Sequence, residues 1–210
     1  MIKETLEQKK RRALKVIKHL QKKFPKAKIA LKYTNPVQLL VAVILSAQCT
    51  DKKVNEVTAG LFKKYKTAKD FADLSQSRLE KIIHSCGFYR NKARNILAAC
   101  KIIQSKFGGQ VPQTMPEILT LPGVARKTAN VVLGNAYGVM EGIAVDTHMI
   151  RLNGKLGFTD ETDPKKIERD LMKTIPRKDW FNYTYLIIEY GRQVCPARHK
   201  KCDCEIYKIR

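Results

Sequence analysis

The stretch LPGVARKTANVVLGNAYG, residues 121–138, places a Pro-Gly pair before two bases and an apolar-periodic run that closes on a glycine. The pair ends one helix, and the run from Arg126 to Tyr137 reads as a second, with Gly138 as its stop. Upstream, Thr114 and Glu117 have the T-x-x-E spacing of a capping box, which predicts a short helix through PEILTL ending at Pro122-Gly123. A helix, a tight glycine turn and a second helix leave several backbone N–H groups at the new start without intrahelical partners, and such groups bind anions. Gly123 would let the backbone approach a phosphate with no Cβ in the way, a grip on nucleic acid that does not depend on base sequence. A plain αα-hairpin uses the same turn and binds nothing, so both readings stand on these residues alone. Lys127, in the first turn, is either a nucleophile, which must be neutral to act, or a solvated phosphate contact.

Outward from this hairpin the chain is helical. Apolar residues recur at helical spacing, strand alternation is nearly absent, and Gly and Pro punctuate at intervals suited to short helices, so the class is all-α. Helices are expected from about Pro36 to Ser46, then over a segment carrying Val54, Val57, Leu61 and Phe62, then through SQSRLEKIIHSC and RNKARNILAACKIIQSKFG, with Gly87 and Gly108 as stops. GFYRNKARNIL at Gly87 echoes GVARKTANVVL at Gly123; a repeat and a chance likeness are equally good accounts. Beyond Gly138 come VDTH, a helix through MIRLNGKLGF, a polar loop with Pro164 as a first-turn residue, and the aromatic segment WFNYTYLIIEYG. Asp146 in VDTH stands just before an apolar-periodic segment, which is an N-cap position.

Composition narrows the partner. The 210 residues include 41 Lys and Arg against 19 Asp and Glu, a formal net charge of +22, which points to an extended polyanion. The start, MIKETLEQKKRRALKVIKHL, has no secretory apolar core; Leu14, Ile17 and Leu20 alternate with bases as on a surface helix. The longest apolar run, LLVAVIL at 39–45, is far below the roughly 20 residues that span a bilayer, so an intracellular protein is expected. Six cysteines without an export signal argue against a disulfide framework, and three of them crowd into CPARHKKCDC near residue 200, which suggests metal.

LPGVARKTANVVLGNAYG followed by IAVDTH resembles the helix-hairpin-helix and adjacent aspartate of the endonuclease III family of DNA glycosylases, and the similarity runs from NPVQLLVAVILSAQCTD to the terminal cysteines. The resemblance implies two helical lobes, residues 29–139 and residues 1–28 with 140–210, with a DNA-binding groove between them. It implies a base-excision-repair glycosylase and AP lyase that removes oxidised pyrimidines from damaged double-stranded DNA, acting as a cytoplasmic monomer. Lys127 matches the lysine that attacks C1′ of the damaged nucleotide, and Asp146 the aspartate that assists base departure or activates the nucleophile. Gln48 and Phe88 match positions that enter the duplex, and Leu121, Gly123, Val124 and Ala125 match the hairpin that holds the backbone. Ala125 stands where a second glycine is common, and relatives commonly carry leucine near Phe88. For Phe88, with Arg90, Asn91 and Lys92 beside it, an apolar wedge flanked by phosphate contacts and a core-facing aromatic are both open. The family holds a 4Fe–4S cluster with C-x6-C-x2-C-x5-C; here Cys195, Cys202 and Cys204 leave the middle spacing one residue short, and Arg210 takes the place of a fourth ligand. The chemistry requires no cofactor, and the tail reads either as a three-thiolate site or as a segment that packs without metal. Cys49, Cys86 and Cys100 are expected to pack in the core. An adenine glycosylase of the same superfamily and a non-catalytic DNA-binding module are the competing functions.

Overall fold

The computed structural model describes residues 4–198 and 204–209. Among the described residues there is no strand and the regular elements are all helices; the chain divides into two compact units, residues 30–139 and residues 1–29 with 140–210.

The contiguous unit contains α2 (Pro36–Leu45), α3 (Asp51–Lys64), α4 (Ala68–Ala72), α5 (Gln76–Ile83), α6 (Tyr89–Lys106), α7 (Met115–Ile118) and α8 (Arg126–Tyr137), with α1 (Leu6–Lys23) preceding it in the other unit. α2 is apolar nearly all round, as a helix enclosed by others must be, and it packs against α3, α6 and α8. Leu39, Leu40, Val41 and Leu45 are each fully buried, and each such side chain stabilises by roughly 1.5–3 kcal/mol. Its start combines Pro36 at the first position with Asn35 Oδ1, which accepts from Gln38 N at 2.9 Å. Gln38, buried, is satisfied in turn: its Oε1 accepts from Thr34 N and Oγ1 at 3.0 and 2.8 Å. α6 lies across α4 and α5 and buries Ala93, Ile96, Ala99, Cys100 and Ile103.

The discontinuous unit holds α1, α9 (Thr147–Lys155), α10 (Pro164–Thr174) and α11 (Trp180–Gln193), plus short 3₁₀ turns at Arg177–Asp179 and Glu205–Lys208. Its core joins Val16 and Leu20 of α1 to Met149, Leu152, Leu171, Tyr183, Ile187 and Tyr190. Tyr183 Oη donates to Asn153 Oδ1 at 2.5 Å, and Asn153 Nδ2 donates to Met149 O at 2.8 Å, so the two fully buried polar side chains satisfy one another and the backbone. Pro164 opens α10 as expected, behind Asp163, whose Oδ1 accepts from Lys165 N and Lys166 N at 3.0 Å.

Three local expectations need correction. The helix through PEILTL is a single turn ending at Ile118. Thr114 Oγ1 does accept from Glu117 N at 3.4 Å, but the Glu117 carboxylate takes the Thr114 hydroxyl at 2.6 Å instead of turning back to the backbone, so the reciprocal box does not close. In α1 the buried stripe is Ala13, Val16, Ile17 and Leu20; Leu14, one residue out of phase, is 47% exposed.

Candidate active site

The hairpin is held from beneath by two apolar side chains. Leu121 and Val124 are buried, and Val124 N donates to Leu121 O at 3.1 Å, closing the turn. Whatever these two residues offer a ligand is therefore main chain, not side chain. Gly123 and Ala125 are exposed between and after them. Gly123 has φ of 79°, and a Cβ there would lie 2.9 Å from Cβ of Asn95 in α6. Glycine is thus required for packing of the turn on α6, a reason independent of any phosphate. Ala125 is the N-cap of α8, a 12-residue helix, and provides no side-chain cap to it. Lys127 is the second residue of α8 and is exposed.

Asp146 belongs to the other unit and caps α9: its Oδ1 accepts from Met149 N at 2.9 Å, with the residue in extended conformation. The buried Val145 before it and Met149 after it fix the carboxylate against the core while its own side chain stays part-exposed. His148, one turn in, packs against Gly191 of α11; a Cβ on Gly191 would meet its Nδ1 at 2.3 Å. That contact gives His148 a structural role.

Gln48 and Phe88 share a property invisible in their chemistry. Among the described residues they are the two non-glycine residues with positive φ, 51° and 49°. Such conformations cost about 1–3 kcal/mol each and persist where surrounding structure enforces them. Both side chains are exposed, Phe88 to 63%, so the core-facing alternative for Phe88 is excluded. Lys92 ties the chain segments that lead into the two turns. Its Nζ donates to Leu45 O at the end of α2 and to Cys86 O in the turn before Phe88, each at 2.8 Å. Lys92 is only 4% exposed, and burial holds its ammonium below the usual lysine range. The expectation that it contacts phosphate is corrected: it staples the two turns together. A sequence signal for this existed, since Lys92, Ile96, Cys100 and Ile103 follow one another at helical spacing on the buried face of α6.

The cysteine segment does not fit a four-thiolate cluster. Cys195 is a buried thiol whose Sγ receives Arg151 Nη1 at 3.3 Å and lies 3.4 Å from Tyr207 Oη, while Arg151 Nη2 donates to its carbonyl at 2.7 Å. Burial first, then the Cys195 contact, pushes the Tyr207 hydroxyl well above the usual tyrosine range, so it remains a neutral partner to that thiol. Cys204 is buried next to the fully buried Ile206, and Cys202 lies outside the described residues, as do His199, Lys200, Lys201 and Arg210. Among the described residues no group of three or more Cys, His, Asp or Glu is gathered for a metal ion. Cys86 and Cys100 pack in the core as expected, but Cys49 is half-exposed. Nor is any described helix long and apolar enough to cross a membrane.

Known proteins bear directly on these features. The profile of the HhH-GPD superfamily base excision DNA repair protein matches residues 41–177. Endonuclease III of Synechocystis sp. is 54% identical over 199 residues, which covers 94% of this chain and 91% of that protein. Endonuclease III of Bacillus subtilis is 44% identical, with 89% of this chain and 85% of that protein covered. A solved structure of endonuclease III trapped as a covalent intermediate with DNA, in an estranged-adenine complex, matches with a TM-score of 0.88 at 42% identity, over 95% of this chain and 94% of that one. The chain belongs to the HhH-GPD superfamily of base excision DNA repair proteins and, within it, to the endonuclease III family of DNA glycosylases with AP lyase activity.

Proposed function

We propose that this protein excises oxidised pyrimidines from duplex DNA through Lys127 and then cleaves the abasic strand. The observation that carries the reading is an exposed lysine at the second position of a helix whose N-cap residue, Ala125, provides no side-chain cap. Such a start offers backbone amides to a DNA phosphate while the next side chain reaches for the sugar. The neutral Lys127 amine attacks C1′ as the damaged base leaves with the glycosidic electron pair. The resulting aminal opens as the C1′–O4′ bond breaks and O4′ takes a proton, which leaves a Schiff base; this acidifies the proton on C2′, whose removal expels the 3′ phosphate by β-elimination, and water then releases the amine. Asp146 supplies negative charge: as a carboxylate it stabilises the cation developing on the sugar or takes the proton from the attacking amine. A base in the duplex is out of reach, so it must be extruded, and the exposed Gln48 and Phe88 fill the space it leaves. A relative captured in covalent linkage to DNA supports the same chemistry here.

We infer that the protein acts on damaged double-stranded DNA as a monomer, in the cytoplasm with the nucleoid. No step requires a cofactor, and the donor set around Cys195 supports a segment that packs without a cluster. The deciding experiment is borohydride trapping on a duplex with an abasic site. A covalent adduct that disappears in Lys127→Ala supports the assignment, whereas equal trapping by the variant overturns it.

A further inference from the structure

We propose that Lys92 is a positioning residue for base extrusion: it holds the turns bearing Gln48 and Phe88 at one fixed spacing, so that the two side chains enter the duplex together. The inference rests on the reading that those side chains fill the space left by the extruded base.

Gln48 and Phe88 are exposed on separate turns, far apart in sequence but both within residues 30–139. Lys92 grips the Phe88 side twice. Its backbone N donates to Phe88 O at 3.1 Å and its Nζ to Cys86 O at 2.8 Å, so the chain is held just before Phe88 and at it. The second Nζ bond, to Leu45 O at 2.8 Å, crosses to the last residue of α2. A continuing helix would aim Cys49 N at that carbonyl, but Cys49 N donates instead to Ser46 O at 3.1 Å. The same bond closes residues 46–49 around Gln48, so the carbonyl that Lys92 takes lies directly before the turn presenting Gln48. α2 has no basic residue in its own last turn, and the negative end of its dipole is met by the ammonium brought from α6. Buried as it is, Lys92 does not reach DNA; its effect passes through the two turns.

Extruding a base gives up its pairing and stacking, and side chains that fill the gap offset that loss only where they meet the gap as it opens. Two loops ordered independently would each lose conformational freedom on entering DNA, whereas loops already tied to one ammonium lose less. The contribution of Lys92 therefore falls on the step that unstacks a base. Strand cleavage at a nucleotide with no base to unstack is spared.

The test follows the full-length protein in single turnover on two duplexes, one carrying thymine glycol opposite adenine and one an abasic site, with active enzyme counted by borohydride trapping. Lys92→Met is expected to slow thymine glycol excision about tenfold and cleavage at the abasic site less than about twofold. A purely structural role would lower both rates alike, so equal slowing overturns the proposal. Should Lys92→Met fail to fold, a cycle of exposed-residue variants decides: Gln48→Ala, Phe88→Ala and the double variant. Side chains that act as one are lost non-additively, so the double variant should excise thymine glycol within about threefold of the slower single variant. Losses that multiply overturn the proposal while leaving both residues in DNA. Full excision by each single variant instead removes the reading that they enter DNA, and the inference falls with it.

Discussion

Two lysines, each in the first turns of a helix that follows a positive-φ glycine, have opposite fates. Lys127 is the second residue of α8 and is exposed; Lys92 is the fourth residue of α6 and is buried against two carbonyls. Two positions along a helix turn a side chain by about 200°, and that rotation alone separates a candidate nucleophile from a structural staple. The two helix starts otherwise correspond: Gly87 and Gly123 have φ of 65° and 79°, and neither Phe88 nor Ala125 provides a side-chain cap. The lesson is that residue type beside a glycine turn says little until helical phase is known.

This contrast can be broken by substitution. The largest expected effect is on chemistry: Lys127→Ala should lower strand cleavage at an abasic site by at least about a thousandfold, with stability moved by less than about 0.5 kcal/mol because the side chain is exposed. Lys92→Met should do the reverse, leaving two buried carbonyls unpaired at roughly 2–5 kcal/mol in urea unfolding; a shift under about 0.5 kcal/mol would refute the staple. Next come the glycines. Alanine at Gly87 meets no atom within 4 Å and should cost only the about 1–2 kcal/mol of its backbone conformation, whereas alanine at Gly123 runs into Asn95 and should cost visibly more. Equal losses at the two sites would remove the packing argument for Gly123. The smallest stability effect belongs to the third helix start, α9, where Asp146→Asn keeps an acceptor for Met149 N and should stay within about 0.5 kcal/mol, against about 1 kcal/mol for Asp146→Ala. Glycosylase activity undiminished in Asp146→Asn would show the carboxylate charge to be dispensable.

Local signals were legible because they act over a few residues. Arg126–Tyr137 with its Gly138 stop, Pro164 at the first turn of α10 and the Asp146 cap are all written in adjacent positions. The place of Lys127, exposed in the first turn of α8, was legible because its motif sits in an unbroken helix phase. What escaped depends on partners distant in sequence. Nothing next to Lys92 names the Leu45 carbonyl that it holds together with that of Cys86. Positive φ at Gln48 and Phe88 is likewise imposed from outside, since neither residue type favours it. Thr114 and Glu117 had the right spacing for a capping box, and the Glu117 carboxylate accepts from the Thr114 hydroxyl in place of the Thr114 backbone N–H.

The split of one unit around the other has a consequence for synthesis on the ribosome. Residues 30–139 are contiguous and can fold once they have emerged, but α1 is made before them and packs against α10 and α11, which are made after them. Glu205 completes the enclosure, pairing with Lys23 and lying 3.3 Å from Nε2 of His19. Throughout translation the apolar stripe of α1 therefore waits without its partners, and that nascent helix is where a chaperone has most to cover.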